Sequence, residues 1–508
     1  MMKSDEGKTV SYWEANENLL EKDALQQSIE TEVCIIGGGI SGLTTAYLLT
    51  KAGKKVIVVD DGLIGGGETS RTTAHLSNAI DDRIYRIAEW HGDEKAKLAV
   101  ESHSEAISQI EKIAAAESIE CDFLRVDGFL IEAEDGEDDL EKELETAHRL
   151  GFSQIEKINR APIKDFDTGS CLRFPRQAQF HILKYLSGLA KAVEAGGGRL
   201  FSNTKATEWT GGDAPEVKVE RGQTIRARQI VLATNYPLQS KMFAQLPAYR
   251  TYAIGAKIPK NSIEKCLIWD TADPYIYVRT QPETDCDVLI VGGEDHRVGQ
   301  ADDADARFGR LWQWTQKRFP MATEITYKWS GQFFETHDGL AFIGGYSSSE
   351  PNIFLITGDS GMGMTHGTIG GMLVSDLILG KENDWTEVYE PTRILTQSIT
   401  EAVPEILSST APYVDWLKGG DVSSADEIKN GDGAIISHGT TKIAAYRDED
   451  GNLHQRSAVC THLGCIVRFN SLEKTWDCPC HGSRFGTDGN VINSPAIAPL
   501  GEIEESAN

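Results

Sequence analysis

Two short Cys-His motifs near the carboxyl end of this 508-residue chain restrict what that region can fold into. The first motif holds Cys460 and His462, and the second holds Cys478 and His481. Two thiolates and two neutral imidazoles suit a two-iron cluster in which one iron has cysteine ligands and the other has histidine ligands. Neutral nitrogens in place of two thiolates raise the reduction potential, because the added electron meets less negative charge. The pattern therefore predicts a one-electron transfer centre.

These motifs resemble the cluster-binding loops of Rieske domains in cytochrome bc complexes and their relatives, and the likeness covers residues 421–508. The resemblance implies that the iron ligands are Cys460, His462, Cys478 and His481. It also implies a disulfide between Cys465 and Cys480. A zinc ribbon is the alternative for cysteine and histidine at short spacing, but zinc takes four ligands and would leave two cysteines spare.

One position departs from the pattern of that family. High-potential members commonly place a tyrosine two residues after the serine of the second motif, where its hydroxyl donates a hydrogen bond to a ligand sulfur. This chain has Phe485 at that position and keeps Ser483. The missing donor would have stabilised the reduced cluster. We therefore expect an intermediate reduction potential.

Length and charge limit the class of protein. The chain is too long for one ordinary core, so two or three globular units are expected. A net charge of −27 argues against binding to nucleic acid or to anionic membrane surfaces. No run of apolar residues suits a membrane span, and residues 1–32 lack the features of a secretory signal. We expect a cytoplasmic protein with five free thiols, namely Cys34, Cys121, Cys171, Cys266 and Cys286.

A glycine-rich loop near the amino end predicts a dinucleotide-binding unit. The apolar run 33–36 leads directly into Gly37, Gly39 and Gly42. A helical stretch and a second apolar run follow, and that run ends at Asp60. Such glycines permit a tight turn, a close approach of the backbone to a pyrophosphate and close packing of the helix, while the acid accepts hydrogen bonds from a ribose. The complete strand, loop, helix and strand context disfavours the alternative, a glycine-rich turn in an unrelated fold.

Later blocks at 65–76, 230–235, 329–338 and 356–365 follow in an order that resembles the D-amino-acid oxidase and glycine oxidase superfamily of FAD enzymes. The likeness spans most of residues 30–390. In that family the last block opens a helix whose amino end stabilises negative charge on the reduced flavin ring. The resemblance implies that the FAD site includes, besides the first glycine loop and Asp60, residues Thr73, His75, Thr234, Gly361, Gly363, Met364 and Thr365.

Two features bear on details of that resemblance. The family usually has a proline where this chain has Ala341. Some relatives attach the flavin to a cysteine near the last glycine block, but residues 359–365 contain none. Others use a histidine in an early loop, which here comprises residues 65–76, so His75 is the candidate for a covalent link. The other interpretation is that His75 lines the site or packs beneath it.

We expect a multidomain fold: an α/β Rossmann-like FAD domain, an α+β substrate domain inserted into it, and a small all-β Rieske domain. Residues 92–150 show helical periodicity without a strand signature, whereas 246–330 contain alternating strand patterns. The predicted divisions are the FAD domain at 1–91, 175–245 and 331–395, a helical insert or substrate region at 92–174, the substrate-domain sheet at 246–330, a connector at 396–420, and the Rieske domain at 421–508.

The substrate residues are the least constrained part of the sequence. Arg279 lies in a predicted strand, where relatives often present a cation to a substrate carboxylate, and an arginine fork suits that role. A salt bridge at the surface is the competing interpretation. His296 and His337 are candidates to approach the flavin, or else structural histidines. No catalytic base is assigned, because amine oxidation can proceed by hydride transfer from a neutral amine.

Two redox centres on one chain imply a direction for electrons, since a flavin accepts two electrons and a Rieske cluster carries one. We expect an FAD-dependent oxidoreductase that oxidises a small amine or amino acid and passes electrons through the cluster to an unidentified acceptor. One alternative is an electron-transfer reductase whose flavin is reduced by a partner. Another is an oxygen-using oxidase with a structural or sensing Rieske module. A Rieske oxygenase is disfavoured, because no convincing mononuclear iron site is evident.

Overall fold

The fold was analysed in a computed structural model, which describes residues 7–133, 139–164, 166–236, 246–393 and 411–503. Residues 396–410 of the predicted connector at 396–420 therefore lie outside the described residues. Among the residues described, no helix combines the length and the apolar character that a bilayer crossing needs.

A six-stranded sheet carries the amino-terminal glycine loop. Its strands, in spatial order, are Phe342–Ser347, Glu350–Thr357, Gln229–Asn235, Val33–Ile36, Val56–Val59 and Arg199–Phe201. All neighbours are parallel except the first pair. Val33–Ile36 and Val56–Val59 are buried at every residue, as short β-branched runs are when a parallel sheet is covered on both faces. A small four-stranded sheet adjoins it, formed by Ile29–Glu30, Thr224–Arg226, Glu216–Val219 and Ala206–Thr210.

Helices cover this sheet and the flanks of the molecule. They span Tyr12–Asn16, Ile40–Lys51, Ile84–His91, Asp93–Ala116, Asp139–Arg149, Ile182–Ala195, Ala304–Arg318, Gly363–Ile378 and Thr386–Tyr389, with 3₁₀ turns at Glu68–Arg71, Ala411–Trp416 and Ala425–Glu427. The helices Ile40–Lys51 and Gly363–Ile378 pack closely together. A Cβ atom at Gly371 would lie 2.6 Å from Cγ2 of Thr44, so this crossing requires the missing side chain.

A nine-stranded mixed sheet forms the second layer. Its main path runs Ile325–Phe334, Ala248–Pro259, Cys286–Arg297, Ile276–Pro282, Leu267–Asp270, Leu124–Ile131, Cys171–Gln179 and His75–Leu76, and Glu156–Ile158 pairs with Cys171–Gln179. The expectation of a helical region without a strand at 92–150 is wrong. Two of its helices are present, but Leu124–Ile131 lies between them as a strand, paired with Leu267–Asp270 and Cys171–Gln179.

The carboxyl-terminal unit is built from two small antiparallel sheets. One contains Asp432–His438, Thr441–Arg447 and Leu453–Ser457, and the other contains Arg468–Asn470, Thr475–Asp477, Arg484–Gly486 and Val491–Asn493. Cys460 precedes the second sheet, and Cys478 lies in the turn between two of its strands. Buried side chains around Trp476 and Phe485 form a core of this unit's own, which is the condition for an independent domain.

Candidate active site and iron–sulfur centre

The glycine loop after Val33–Ile36 has a geometry that side chains would prevent. Gly37 has φ +109°, and a Cβ atom there would lie 2.3 Å from the carbonyl oxygen of Ala233. A Cβ atom at Gly42 would lie 1.9 Å from the carbonyl oxygen of Gly37. Asp60 Oδ2 accepts a hydrogen bond from the Gly38 backbone N–H at 2.6 Å, so the acid sits against the loop. Glycine is thus required at both positions for the loop to pack against the neighbouring strand and for the helix to close on the loop.

This loop forms one wall of a cavity of about 400 Å³. The predicted site residues that line it are Gly37, Gly39, Asp60, Thr73, His75, Thr234, Gly361, Gly363, Met364 and Thr365. Gly42 does not line it and instead lets the helix close on the loop. Segments that are far apart in sequence therefore meet around one space, in the arrangement that the FAD resemblance predicts.

Several polar groups that face this cavity suit a large polar ligand such as FAD. The helix Gly363–Ile378 begins with no side chain capping its first N–H groups, and a helix amino end attracts negative charge. Buried atoms without a hydrogen-bond partner include His75 Nε2 and Asp359 Oδ1. Buried polar atoms are normally satisfied, so these orphans mark places where a ligand would donate or accept. The residues present therefore fit FAD.

His75 is held in place by its neighbours in the early loop. Its Nδ1 lies 3.0 Å from Thr73 Oγ1, and its ring meets the edge of Tyr277 at 5.6 Å. Burial, reinforced by the positive charge of Arg279, lowers the pKa of His75 to about 3. The imidazole is therefore neutral at physiological pH. Its position in the cavity wall is compatible with lining the flavin site.

Arg279 lies elsewhere. Its guanidinium is fully buried beneath the early loop and is absent from the cavity lining. Nη1 donates to the carbonyl oxygens of Ala74 at 2.7 Å and Phe180 at 3.0 Å, Nη2 donates to Gln281, and the group stacks over Trp13. Because Nη1 serves backbone carbonyls and Nη2 serves Gln281, Arg279 holds the loop in position, while its buried Nε has no hydrogen-bond partner. A role in binding a substrate carboxylate stays a prediction.

The two candidate histidines also lie outside the cavity lining. His296 stacks on Tyr252 at 5.7 Å, and burial lowers its pKa to about 4. Its neighbour Asp295 faces the cavity instead, as does Asp81. Both acids were missed from the sequence. Their signal was weak: Asp295 adjoins a more conspicuous histidine, and Asp81 follows the early loop in an Asp-Asp pair.

The carboxyl-terminal motifs bring the two predicted histidine ligands next to each other, and likewise the two predicted cysteine ligands. The rings of His462 and His481 lie 5.0 Å apart at an interplanar angle of 86°. Cys460 and Cys478 are in hydrogen-bond contact, and both are buried. Nδ1 of His462 is buried with no hydrogen-bond partner, as expected of a nitrogen that awaits a metal. Two thiols opposite two imidazoles fit the donor set of a Rieske cluster.

A disulfide ties the two loops, with Cys465 bonded to Cys480 as the resemblance implied. The sulfurs of Cys465, Cys478 and Cys480 lie within 4.8 Å of one another. Disulfide sulfurs are not thiolates, so this triplet is no alternative metal site. Among the described residues, the five scattered cysteines form no disulfide.

Around the cluster ligands, the structure shows a hydroxyl donor from Ser483 and an apolar ring at Phe485, where the family commonly has a tyrosine. A hydrogen bond with Cys478 lowers the pKa of the Cys460 thiol to about 7, and the Ser483 hydroxyl also bonds to that sulfur. Phe485 is fully buried and pairs across the sheet with Trp476. One hydroxyl donor therefore reaches a ligand sulfur, and an apolar ring occupies the family's tyrosine position.

The carboxyl-terminal unit supplies part of the cavity wall. Its residues Val491, Ile492, Asn493, Ser494, Ala496 and Ile497 line the same space as the glycine loops. Gly482, next to His481 in the second motif, touches the nine-stranded sheet, and a Cβ atom there would lie 2.2 Å from the Cβ of Ala248. The cavity is thus closed by both parts of the chain.

Buried charges fasten the two parts together. Glu473 Oε1 lies 3.3 Å from Arg71 Nη1 and accepts a hydrogen bond from Ser330 Oγ at 2.6 Å. Arg250 Nη2 lies 3.3 Å from Asp477 Oδ2, and both side chains are buried. Burial opposes ionisation of Glu473, but Arg71, Arg250 and Arg484 outweigh it and hold its pKa at about 2. Removing one partner of such a network leaves a buried charge uncompensated.

Comparison with protein families agrees with both sites. Residues 32–377 match the model of the FAD dependent oxidoreductase family, and residues 419–504 match that of the Rieske [2Fe-2S] domain. The family matches and the fitted residues identify FAD and a Rieske [2Fe-2S] cluster as the cofactors.

Individual proteins show the same two relationships. YhfW of Bacillus subtilis (strain 168), named as a Rieske 2Fe-2S iron–sulfur protein, is 33% identical over 507 residues, which cover 97% of each chain. Gamma-glutamylputrescine oxidoreductase of Escherichia coli (strain K12) is 27% identical over 397 residues, covering 73% of this chain and 89% of that protein.

Among solved structures, glycine oxidase from Geobacillus kaustophilus superposes with a TM-score of 0.61 at 17% identity, covering 72% of this chain and 99% of that one. At this identity the likeness concerns the fold. Together with the family matches, it shows that this chain belongs to the FAD-dependent oxidoreductase family and carries a Rieske [2Fe-2S] domain at its carboxyl end.

Proposed function

We propose that the enzyme oxidises a carbon–nitrogen bond of a small amine or amino acid and sends the electrons through its own Rieske cluster to an external acceptor. The supporting observation is the shared cavity, in which residues 491–497 of the Rieske domain line the same space as the FAD glycine loops. A shared wall of this kind supports electron transfer from the flavin to the cluster of the same chain.

The proposed reaction is the two-electron oxidation of an amine to an imine. The substrate carbon loses a hydrogen with two electrons and the nitrogen loses a proton, which leaves an imine. Water then hydrolyses the imine to a carbonyl compound and an amine or ammonia. When bound, FAD accepts such an electron pair and can release it in single steps, as a one-electron cluster requires. The cluster is reduced and reoxidised twice, and so passes the two electrons one at a time to the external acceptor.

The two cluster loops have different surroundings, which favours an entry side and an exit side. The second loop, with His481 and Gly482, packs on the nine-stranded sheet, where Gln332 Nε2 donates to the Gly482 carbonyl oxygen at 3.0 Å. The first loop is more exposed, since His462 is half-buried and Leu463 is 50% exposed, and its contacts include hydrogen bonds from Tyr413 and Trp416 to its backbone carbonyl oxygens. Electrons would enter through the packed loop and leave through the more exposed one.

The buried charge network makes this arrangement persistent. Interfaces between domains are usually polar and permit relative motion. Here Glu473 and Arg250 are almost fully buried at the junction, so moving the domain away would expose and separate paired charges. The network therefore favours transfer within one molecule with the Rieske domain in this position.

The test is anaerobic mixing of the holoenzyme with a panel of amines and amino acids, followed by flavin absorbance and freeze-quench EPR. We expect flavin bleaching first and the reduced-cluster signal second, at a rate independent of protein concentration. A rate proportional to protein concentration would place the transfer between molecules. A cluster that stays oxidised, although a redox titration puts its potential above that of the flavin, would indicate a structural or sensing module. Bleaching by a partner reductase but by no amine or amino acid would indicate a reductase.

A further inference from the structure

One end of the cavity is lined by two carboxylates and two tyrosines. Asp295 and Tyr277 come from the adjacent strands Cys286–Arg297 and Ile276–Pro282, Tyr275 immediately precedes the latter, and Asp81 comes from the segment after the early loop. Gly292 makes room for this group, since a Cβ atom there would lie 2.2 Å from the Tyr277 ring.

Asp81 lies beside the last FAD glycine block. A Cβ atom at Gly361 would lie 2.7 Å from Asp81 Oδ2 and 3.7 Å from the Tyr275 hydroxyl. The Tyr275 hydroxyl donates a hydrogen bond to the Asp81 carboxylate. The acidic end of the cavity therefore adjoins the loop that leads into the helix Gly363–Ile378, whose residues would hold the flavin.

Asp295 has an unused acceptor in this space. Thr251 donates to its carboxylate, and Thr251 Oγ1 also lies 2.7 Å from the Tyr277 hydroxyl. The other oxygen, Oδ1, is buried and has no hydrogen-bond partner. A buried carboxylate oxygen without a donor is costly, and a bound cationic donor would relieve that cost.

The cations among the described cavity-lining residues have other roles. They are Arg71, Arg83 and Lys205. Arg71 pairs with Glu473, and Arg83 donates to the backbone carbonyl oxygens of Asp81 and Asp270. Lys205 follows Thr204, whose N–H donates to the Asp60 carbonyl oxygen, so it belongs to the ribose end. At the acidic end the Arg83 guanidinium thus serves backbone carbonyl oxygens, while the carboxylates of Asp81 and Asp295 face the cavity.

The environment of the two acids allows them to bind a cation and to take a proton from it. Burial raises the pKa of Asp295 to about 7, with Thr251 and Arg307 opposing and Asp81 and Glu294 adding to the rise. Burial raises the pKa of Asp81 to about 6, opposed by Arg83 and Tyr275. A bound ammonium would stabilise the ionised carboxylates. Tyrosine rings beside them add favourable contacts for a cation.

We infer that this acidic end binds the ammonium group of an amine substrate that carries no carboxylate on its reacting carbon. The inference rests on the proposed amine oxidation and narrows its substrate class from amines and amino acids to amines. An α-carboxylate would be placed against Asp81 and Asp295, and like charges at close range are repelled.

The first test measures binding without turnover. tert-Butylammonium has no hydrogen on the carbon bearing its nitrogen and cannot be oxidised, and pivalate is an anion of the same shape. Isothermal calorimetry on the holoenzyme at pH 8 should show tert-butylammonium binding at least about tenfold more tightly than pivalate. Equal or tighter binding of pivalate, or no detectable binding of tert-butylammonium, would overturn the inference.

Matched variants locate the effect. Asp295→Asn and Asp81→Asn should each weaken tert-butylammonium binding by about tenfold and leave pivalate binding unchanged or stronger. Asp305→Asn, at an exposed position in the helix Ala304–Arg318, is the control and should change neither. FAD and iron contents of each variant show whether it has folded. Unchanged binding of tert-butylammonium in both variants, when they are folded, would overturn the inference. The comparison of tert-butylammonium with pivalate on the unaltered enzyme tests the inference even if the variants do not fold.

A substrate pair separates this inference from the function on which it rests. n-Butylamine and norvaline differ by a carboxylate on the reacting carbon. Anaerobic flavin bleaching by n-butylamine in preference to norvaline supports both proposals. Flavin bleaching by norvaline in preference to n-butylamine would overturn the inference that the substrate lacks a carboxylate on its reacting carbon. It would still support the proposed oxidation of a carbon–nitrogen bond. Tight binding of tert-butylammonium without bleaching by either compound supports the cation site and argues against the proposed oxidation.

Discussion

The two redox sites of this protein differ in how they are assembled. The four cluster ligands come from two loops within residues 460–481, tied by the Cys465–Cys480 disulfide. The flavin cavity takes its walls from residues between Ile36 and Ile497, including the Rieske domain itself. The cluster thus needs a short piece of chain folded correctly, whereas the cavity needs nearly the whole molecule. The comparison predicts that damage to the cluster stays local and that damage at the junction reaches the flavin.

The largest expected effect is at a cluster ligand. His481→Ala removes one of four ligands, so iron should fall from about two atoms per chain to almost none. FAD should remain bound, because His481 is absent from the cavity lining. Iron analysis and flavin absorbance measure both contents. His454→Ala, at a side chain 46% exposed in the same domain, is the control and should lose neither. Loss of FAD together with iron would show that the cavity depends on an occupied cluster.

The converse change is in the first glycine loop. Gly42→Ala places a methyl group 1.9 Å from the Gly37 carbonyl oxygen and must displace the loop. We expect loss of most FAD with iron retained, measured on the same samples. Gly309→Ala, where a Cβ atom meets no neighbour within 4 Å, should keep both cofactors. Full FAD occupancy in Gly42→Ala would mean that the loop adapts and does not set the cavity's shape.

An intermediate effect is expected at the junction. Glu473→Gln leaves Arg71 and Arg250 facing a neutral group, and breaking a buried pair costs about 3 to 5 kcal/mol. The folded-state pKa of Glu473 is about 2, below its usual 4.5, so the stabilisation is full above pH 4.5 and is lost as pH falls towards 2. The difference between the variant and the unaltered enzyme should therefore shrink over that interval.

Urea-induced release of flavin fluorescence measures this effect at the junction. Glu208→Gln breaks the exposed pair with Lys218 and should leave the urea midpoint unchanged. If Glu473→Gln released flavin no more easily than the unaltered enzyme, the Rieske domain would not be needed to close the cavity.

The smallest effect concerns the cluster potential. Phe485→Tyr should restore a hydroxyl donor to a ligand sulfur and raise the potential, since about 1 kcal/mol of added stabilisation of the reduced state corresponds to tens of millivolts. Redox-titrated EPR measures the shift. Phe469→Tyr, in the same core beside Trp476, is the matched control and should leave the potential unchanged. An unchanged potential in Phe485→Tyr would mean that the ring does not reach a ligand sulfur.

The sequence correctly predicted the strands whose formation depends on a local pattern of residues. The strands Val33–Ile36 and Val56–Val59 were predicted from buried apolar runs and glycine punctuation, which act over a few residues. Leu124–Ile131 was missed, because its partners Leu267–Asp270 and Cys171–Gln179 are remote in sequence and strand formation depends on them. The domain divisions at 246, 331 and 421 remain our proposal.

The candidate site shows the same limit at the scale of single side chains. Arg279 was placed in the correct strand, but its donors serve the carbonyl oxygens of Ala74 and Phe180, which only folding brings near. At Asp295 and His296 the sequence drew attention to the histidine. Neighbouring residues of a strand face opposite sides, and the aspartate is the one that faces the cavity.

By itself, the sequence determined the cluster, because the types and spacing of its cysteine and histidine ligands are set by the chemistry of the iron atoms. The glycine loop predicted a dinucleotide, and the resemblance of the later blocks to a family of FAD enzymes selected FAD. Tertiary structure alone decided that the Rieske domain closes the flavin cavity and that one end of this cavity is acidic. Those properties depend on which distant surfaces meet and which buried charges find partners. Free energies of burial and pairing are fixed only when the whole chain has folded.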